Sequence, residues 1–128
     1  MIPFQLKFRP GIPVYEQVIF AVKKAVVFGQ LAAGDKFPSV RQISQELKIN
    51  PNTAHKVVMA LVDDGILAVY PGVGTVVAEA VPATRQQKRS LLNDDLEKLV
   101  VEARKLSLEL QEVEDALRQQ WNHFTKEK

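Results

Sequence analysis

Two short helical patterns joined by only three residues, Lys48, Ile49 and Asn50, set the tightest limit on what this chain can fold into. The first opens at Ser39. Ser39-Val40-Arg41-Gln42 has the S-x-x-Q spacing in which each end can satisfy an orphan amide of the first turn. Val40, Ile43 and Leu47 follow as a narrow apolar stripe. The second opens at Asn50-Pro51, an N-cap followed by proline at the first helical position. Ala54, Val57, Val58 and Leu61 form its apolar face, with Asn52, Thr53, His55, Lys56 and Met59 mostly on the other side, and Asp63-Asp64-Gly65 ends it. Helices near 39–47 and 51–64 with so short a joint have helix-turn-helix spacing.

The flanking segments extend this unit. Residues 1–13 hold Pro3, Pro10, Gly11 and Pro13 and predict an extended arm, not a helix. Val14, Val18, Ala21, Val22, Ala25 and Phe28 recur at three and four and predict a helix starting by Pro13 and stopping by Gly29. Residues 30–38 read as a connector, because Gly34 offers a turn and Pro38 disfavours helix before it. After Gly65 the period changes. Ile66–Tyr70 and Thr75–Ala78 flank Pro71-Gly72-Val73-Gly74, which predicts a hairpin with a four-residue loop. A helix-turn-helix followed at once by a hairpin is a winged helix. The expected core of this unit is Val18, Val22, Ile43, Val57, Val58 and Leu61.

Residues 80–84 read as a hinge, and from about Arg85 the chain is helical with no Gly or Pro to its end. Leu92, Leu96, Leu99, Ala103, Leu106, Leu110, Val113 and Leu117 are spaced as an a/d heptad seam, and Trp121 and Phe124 continue the apolar character. Such a stripe has too little of its own chain to bury against, so it predicts a partner. The expected division is a winged helix-turn-helix domain over 1–79 and a helical dimerisation tail over 80–128, in a mainly α chain with one small β-hairpin.

Composition narrows function. The chain has 128 residues, 46% apolar and 25% charged, as in ordinary globular proteins. No apolar run approaches the ~18 residues of a membrane span, and the start of the chain lacks a signal-peptide pattern. Cysteine is absent, so thiolate and disulfide chemistry is excluded. Cytoplasmic placement is the expectation. His55 and His123 are far apart without metal-ligand spacing, Asp63-Asp64 and Asp94-Asp95 are helix neighbours that point apart, and Gly72-Val73-Gly74 lacks the rest of a phosphate-cradling motif. No enzyme, metal or cofactor is expected. Residues 1–79 carry eight Lys/Arg (7, 9, 23, 24, 36, 41, 48, 56) against six acids (16, 35, 46, 63, 64, 79), which permits nucleic-acid binding without demanding it.

A recognition helix reads bases with its first turns, here Asn52, Thr53, His55 and Lys56. Asn pairs with adenine, Thr accepts or donates, and His or Lys reaches guanine or phosphate; the helix start also favours a phosphate. The plain reading of the same residues is a solvated polar face. Arg41 either meets DNA or is a surface arginine making weak ion pairs.

Pro13-Val14-Tyr15-Glu16-Gln17-Val18, Gly34-Asp35-Lys36-Phe37-Pro38-Ser39-Val40-Arg41, Asn50-Pro51-Asn52-Thr53 and Gly72-Val73-Gly74-Thr75 together resemble the GntR family of bacterial transcription regulators, over about residues 12–78. The short helical tail resembles that of its YtrA subfamily, which dimerises through it. The resemblance implies a DNA contact for Arg41, recognition positions for Asn50, Asn52, Thr53 and His55, and a wing tip at Gly72 entering the minor groove; Lys56 and Thr75 complete the expected DNA-binding set. Two departures both remove positive charge. His55 stands where the family often has arginine, and Pro71 and Val73 stand where it often has Arg or Lys. For the tail, the heptads predict one continuous coiled coil, while the resemblance implies two helices broken near Ser107 in Leu106-Ser107-Leu108-Glu109; the broken form is taken as the expectation.

The expected protein is a homodimeric repressor on a pseudo-palindromic double-stranded operator. A winged helix that binds protein instead of DNA, and a plain helical oligomerisation protein, are the alternatives. No sequence pattern marks a pocket for a small-molecule effector, and its existence stays open.

Overall fold

A computed structural model describes residues 2–4 and 6–126, with side chains described through residue 123. Met1, Gln5, Glu127, Lys128 and the side chain of Phe124 lie outside the described part. The chain divides into two compact units, Met1–Val81 and Pro82–Lys128.

The first unit holds α1 (Val14–Val27), α2 (Val40–Leu47), α3 (Pro51–Asp63), β1 (Leu67–Tyr70) and β2 (Gly74–Val77). All six expected core residues are buried, joined by Ala21, Ala25, Leu31, Ala54, Leu67 and Val77. Each buried aliphatic side chain contributes roughly 1.5–3 kcal/mol. Local chemistry sets the ends. The Ser39 hydroxyl accepts from the Gln42 amide at 3.1 Å. Among the described residues the reciprocal bond from the Gln42 side chain does not form, so the expected box is half closed. Beyond α3, Gly65 takes a φ of +78°, and Gly65 N–H and Ile66 N–H donate to Val62 O and Leu61 O. This pair of bonds is the Schellman closure, which needs the left-handed residue that glycine supplies at least cost.

The hairpin is antiparallel, with Leu67 opposite Val77 and Tyr70 opposite Gly74. Its loop is three residues, not the expected four, because Gly74 is already paired. The connector is more structured than expected. Lys36 pairs with Val76, and Gly34 N–H, Val77 N–H and Phe37 N–H donate to Val77 O, Asp35 O and Thr75 O at 2.8–2.9 Å. It thus runs as a short third rung beside β2. Gly34 and Pro38 signalled turns and masked a segment this short.

The arm is extended, as expected, but it is also part of the core. Phe4 is 6% exposed and its ring lies parallel to Phe37, centroids 6.1 Å apart. Gln17 of α1 fastens it further, accepting from Arg9 N–H and donating to Arg9 O and Ile12 O at 2.8–2.9 Å.

The second unit holds α4 (Arg85–Arg89), a π-helical segment Ser90–Asp95, α5 (Leu96–Lys105) and α6 (Leu110–Lys126). The single continuous heptad helix is not what forms. Ser107 takes a φ of +60°, and Ser107 N–H and Leu108 N–H donate to Arg104 O and Ala103 O, a Schellman closure that ends α5. Glu112 then reaches back to Glu109 N–H at 2.8 Å to start α6. The break falls where the two-helix expectation put it. The π-helical turn was not foreseen. Its wider i→i+5 bonding shifts Leu92 relative to the line of Leu96, Leu99 and Ala103.

Phe4→Ala should lower the unfolding free energy by about 3 kcal/mol, read by urea denaturation, because it empties a buried site against Phe37. A change under about 0.5 kcal/mol, the scale of a surface substitution, would show the arm to be only a surface strand.

Candidate functional site

The turn between α2 and α3 positions everything that follows. Lys48 adopts φ +55°, ψ +48°, unusual for a side-chain-bearing residue. Ser44 holds it there, its hydroxyl donating to Ile49 O at 2.8 Å and its carbonyl accepting from Ile49 N–H at 3.1 Å. Sequence spacing located this turn but missed Ser44, whose only signal was a serine near a helix end.

α3 is two-faced. Ala54, Val57, Val58 and Leu61 are buried. Asn52, His55, Lys56 and Met59 are exposed at i, i+3, i+4 and i+7, a single outward stripe, with Thr53 half-buried beside it. Asn50 is exposed and caps the helix, its Oδ1 accepting from Asn52 N–H at 2.7 Å. Pro51 has no N–H and Ala54 N–H bonds to Asn50 O, so the helix start offers Thr53 N–H to an outside anion rather than a full set of amides. Met59 shares the stripe and was not among the expected site residues.

Lys56 is not simply extended into solvent. Its Nζ lies 3.8 Å from the centroid of the Tyr15 ring at the start of α1. That distance is well inside cation–π range. Tyr15, noted in the sequence only within a motif, thereby orients a cation of the outward stripe.

Arg41 is exposed in the first turn of α2 and has no ion-pair partner among the described residues. At the hairpin tip Val73 N–H donates to Tyr70 O at 3.0 Å, with Pro71 next and Gly72 at φ +79°. That is the pattern of a type II turn, which requires positive φ at its third position. Thr75 is half-buried opposite Val69. The tip carries no charge, and Val69, Tyr70 and Val73 are each more than half exposed. Among the described residues no group of three or more His, Asp or Glu could hold a metal.

The family model described as bacterial regulatory proteins, gntR family, matches residues 14–77. The chain belongs to the GntR family. It is 30% identical to the HTH-type transcriptional repressor YtrA of Bacillus subtilis (strain 168) over 116 residues, covering 90% of this chain and 89% of that one. In fold it is similar to a transcriptional antiterminator from Listeria monocytogenes EGD-e, with a TM-score of 0.83 at 23% identity over 94% of this chain and 91% of that one. It is also similar to the AraR DNA-binding domain in complex with operator ORX1, with a TM-score of 0.52 at 25% identity over 58% of this chain and 95% of that one. This GntR-family chain is therefore a winged-helix transcription regulator and not an enzyme. No helix among its described residues is long and apolar enough to cross a membrane.

A double-mutant cycle of Tyr15→Leu and Lys56→Met should give a coupling of about 0.5–1 kcal/mol in unfolding free energy. Additive single effects would mean that the ring does not hold the ammonium.

Proposed function

We propose that this regulator is a repressor that binds a pseudo-palindromic operator as a homodimer. The stripe Asn52, His55, Lys56 and Met59, on a helix whose other face is buried, carries the reading. In the major groove such a face offers Asn52 to adenine and His55 or Lys56 to guanine or phosphate. Arg41 anchors α2 to phosphate, Asn50 caps and borders the contact, and Gly72 and Thr75 bring the wing to the adjacent groove. The AraR domain bound to its operator, similar over 58% of this chain, supports this placement, and the repressor YtrA supports the direction of control.

The tail supplies the pairing. Leu92, Leu96, Leu99, Leu106, Leu110 and Leu117 are exposed and Val113 half-buried, while Ala103 alone of the expected seam is buried. Burying these leucines against a second copy sets two recognition helices a fixed distance apart, and half-sites one helical turn apart, about 34 Å, follow from such a two-fold. A cavity of about 530 Å³ between α5 and α6 is lined by Val100, Ala103, Leu108, Leu110 and Val113 together with the polar Arg104, Ser107 and Glu109, and a partner's side chains fill it in this reading. The expected domain division, with DNA binding in residues 1–79 and pairing in 80–128, is part of the proposal. The second reading, a winged helix that binds protein, is favoured by the uncharged wing tip. Selection of duplexes from a random pool decides between them, since a protein-binding module enriches no sequence.

Asn52→Ala should cost on the order of 1–3 kcal/mol, mostly as lost discrimination between the selected and scrambled duplexes. Arg41→Ala should weaken both alike and flatten the salt slope by about one unit per phosphate lost. His55→Arg should tighten binding, because a guanidinium offers more donors in a fixed fork and a permanent charge to a guanine or phosphate acceptor. An unchanged affinity in that variant would place position 55 off the DNA.

Leu99→Asp should dissociate the dimer in sedimentation at micromolar concentration, because an unpaired buried carboxylate costs several kcal/mol. Truncation after Glu79 should leave a folded monomer. A truncated chain that still sediments as a dimer would move the interface out of the tail.

A further inference from the structure

The start of the tail carries a feature that neither base reading nor pairing uses. Arg85, Lys88 and Arg89 stand at i, i+3 and i+4, on one face of α4, and all three are exposed. No acid lies between Glu79 and Asp94, and none of the three has an ion-pair partner among the described residues. Two effects oppose this arrangement within the chain. Like charges at these spacings repel, and Arg85, the first residue of α4, faces the positive end of the helix dipole. The capping box adds no relief. Thr84 accepts from Gln87 N–H at 3.1 Å, and Gln87 reaches back to Thr84 N–H at 2.9 Å, so the third position holds the uncharged closer rather than a glutamate. Beyond Asp94 the balance reverses: residues 94–126 carry eight acids (94, 95, 97, 102, 109, 112, 114, 115) against five bases (98, 104, 105, 118, 126). Positive charge is thus gathered at the end of the tail that is joined to the winged helix.

We propose that Arg85, Lys88 and Arg89 form a second DNA-contacting surface, which grips duplex phosphates outside the base pairs that α3 reads. The inference rests on the DNA-binding reading above. An ordered cationic face without internal counter-charge is complementary to a polyanion with one charge per ~1.7 Å of axis. Seven residues, Ala78–Thr84, separate β2 from α4 and span at most about 25 Å, less than one ~34 Å turn of duplex beyond the wing. The wing itself has no cation at its tip, where Pro71 and Val73 stand, so a share of the phosphate grip moves to the next element of the chain. Contacts to phosphate carry affinity and register, not base preference.

The test uses the full chain and a 40-bp duplex, the length chosen to leave flanks, recovered by selection with the wild type. Anisotropy gives log K against log salt for the wild type, for Arg85→Gln/Lys88→Gln/Arg89→Gln, and for Lys98→Gln/Lys105→Gln/Arg118→Gln, which removes the same charge further along the tail. Each neutralised phosphate contributes about 0.9 to the slope, and the dimer presents the face twice. The first triple variant should flatten the slope by two units or more and leave the ratio of selected to scrambled affinity unchanged. Arg85→Lys/Arg89→Lys should keep the wild-type slope, and circular dichroism and sedimentation report whether helix and dimer are retained. A flattening below two units, or an equal one in the second triple variant, overturns the proposal. A wild type that selects no duplex at all overturns the DNA reading and this inference together.

Discussion

One helix does two jobs, and the rest of the first unit depends on it. Ala54, Val57 and Leu61 are fully buried, so α3 cannot rotate about its axis without pulling aliphatic side chains from the core. That fixes where Asn52, His55, Lys56 and Met59 point. Reading DNA needs side chains placed within fractions of an ångström, and here packing on one side supplies that rigidity on the other. The Ser44–Ile49 bonds and the left-handed Lys48 add the second restraint, the angle at which α3 leaves α2.

The parts legible in the sequence are those where a single residue type has a single local use. Ser39, Asn50-Pro51 and Gly65 marked helix ends because capping and positive φ are short-range demands, and each end lies within a residue of its expected place. The face of α3 was legible because its period is purely local. What escaped were long-range events. Phe4 carries no periodic signal, and only the approach of Phe37 makes it core. Lys36 pairs with Val76 across forty positions, and a Gly-Pro-flanked segment gives no warning of that. The Tyr15–Lys56 contact likewise joins two helices distant in sequence. The π-helical turn has no agreed sequence signal, and nothing in Ser90–Asp95 announced it.

Lys56 shows how the site and the fold overlap. Placed over the Tyr15 ring, its ammonium is directed while the residue stays exposed, so a core-side contact orients a side chain of the outward stripe. The wing goes the other way: its backbone turn is exact in type but its tip has lost charge, leaving Val69, Tyr70 and Val73 on the surface. Exposed cations thus stand at Arg41, Lys56 and the start of the tail, and not at the hairpin tip.

The tail is where the single chain leaves most apolar surface uncovered. Residues 85–105 are helical without a break and α6 has seventeen residues, with Ser107 left-handed between them. In proteins most helical stability comes from packing an amphipathic face rather than from propensity. Within one chain only Ala103 is buried among the described residues of this unit, so its leucines contribute little until something covers them. A straight rod would hide them along a single seam. The break at Ser107 instead divides the apolar surface between two arms, with Leu106 and Leu110 exposed on either side of the corner. Covering these leucines with a second copy, as proposed above, would add the packing that the single chain lacks.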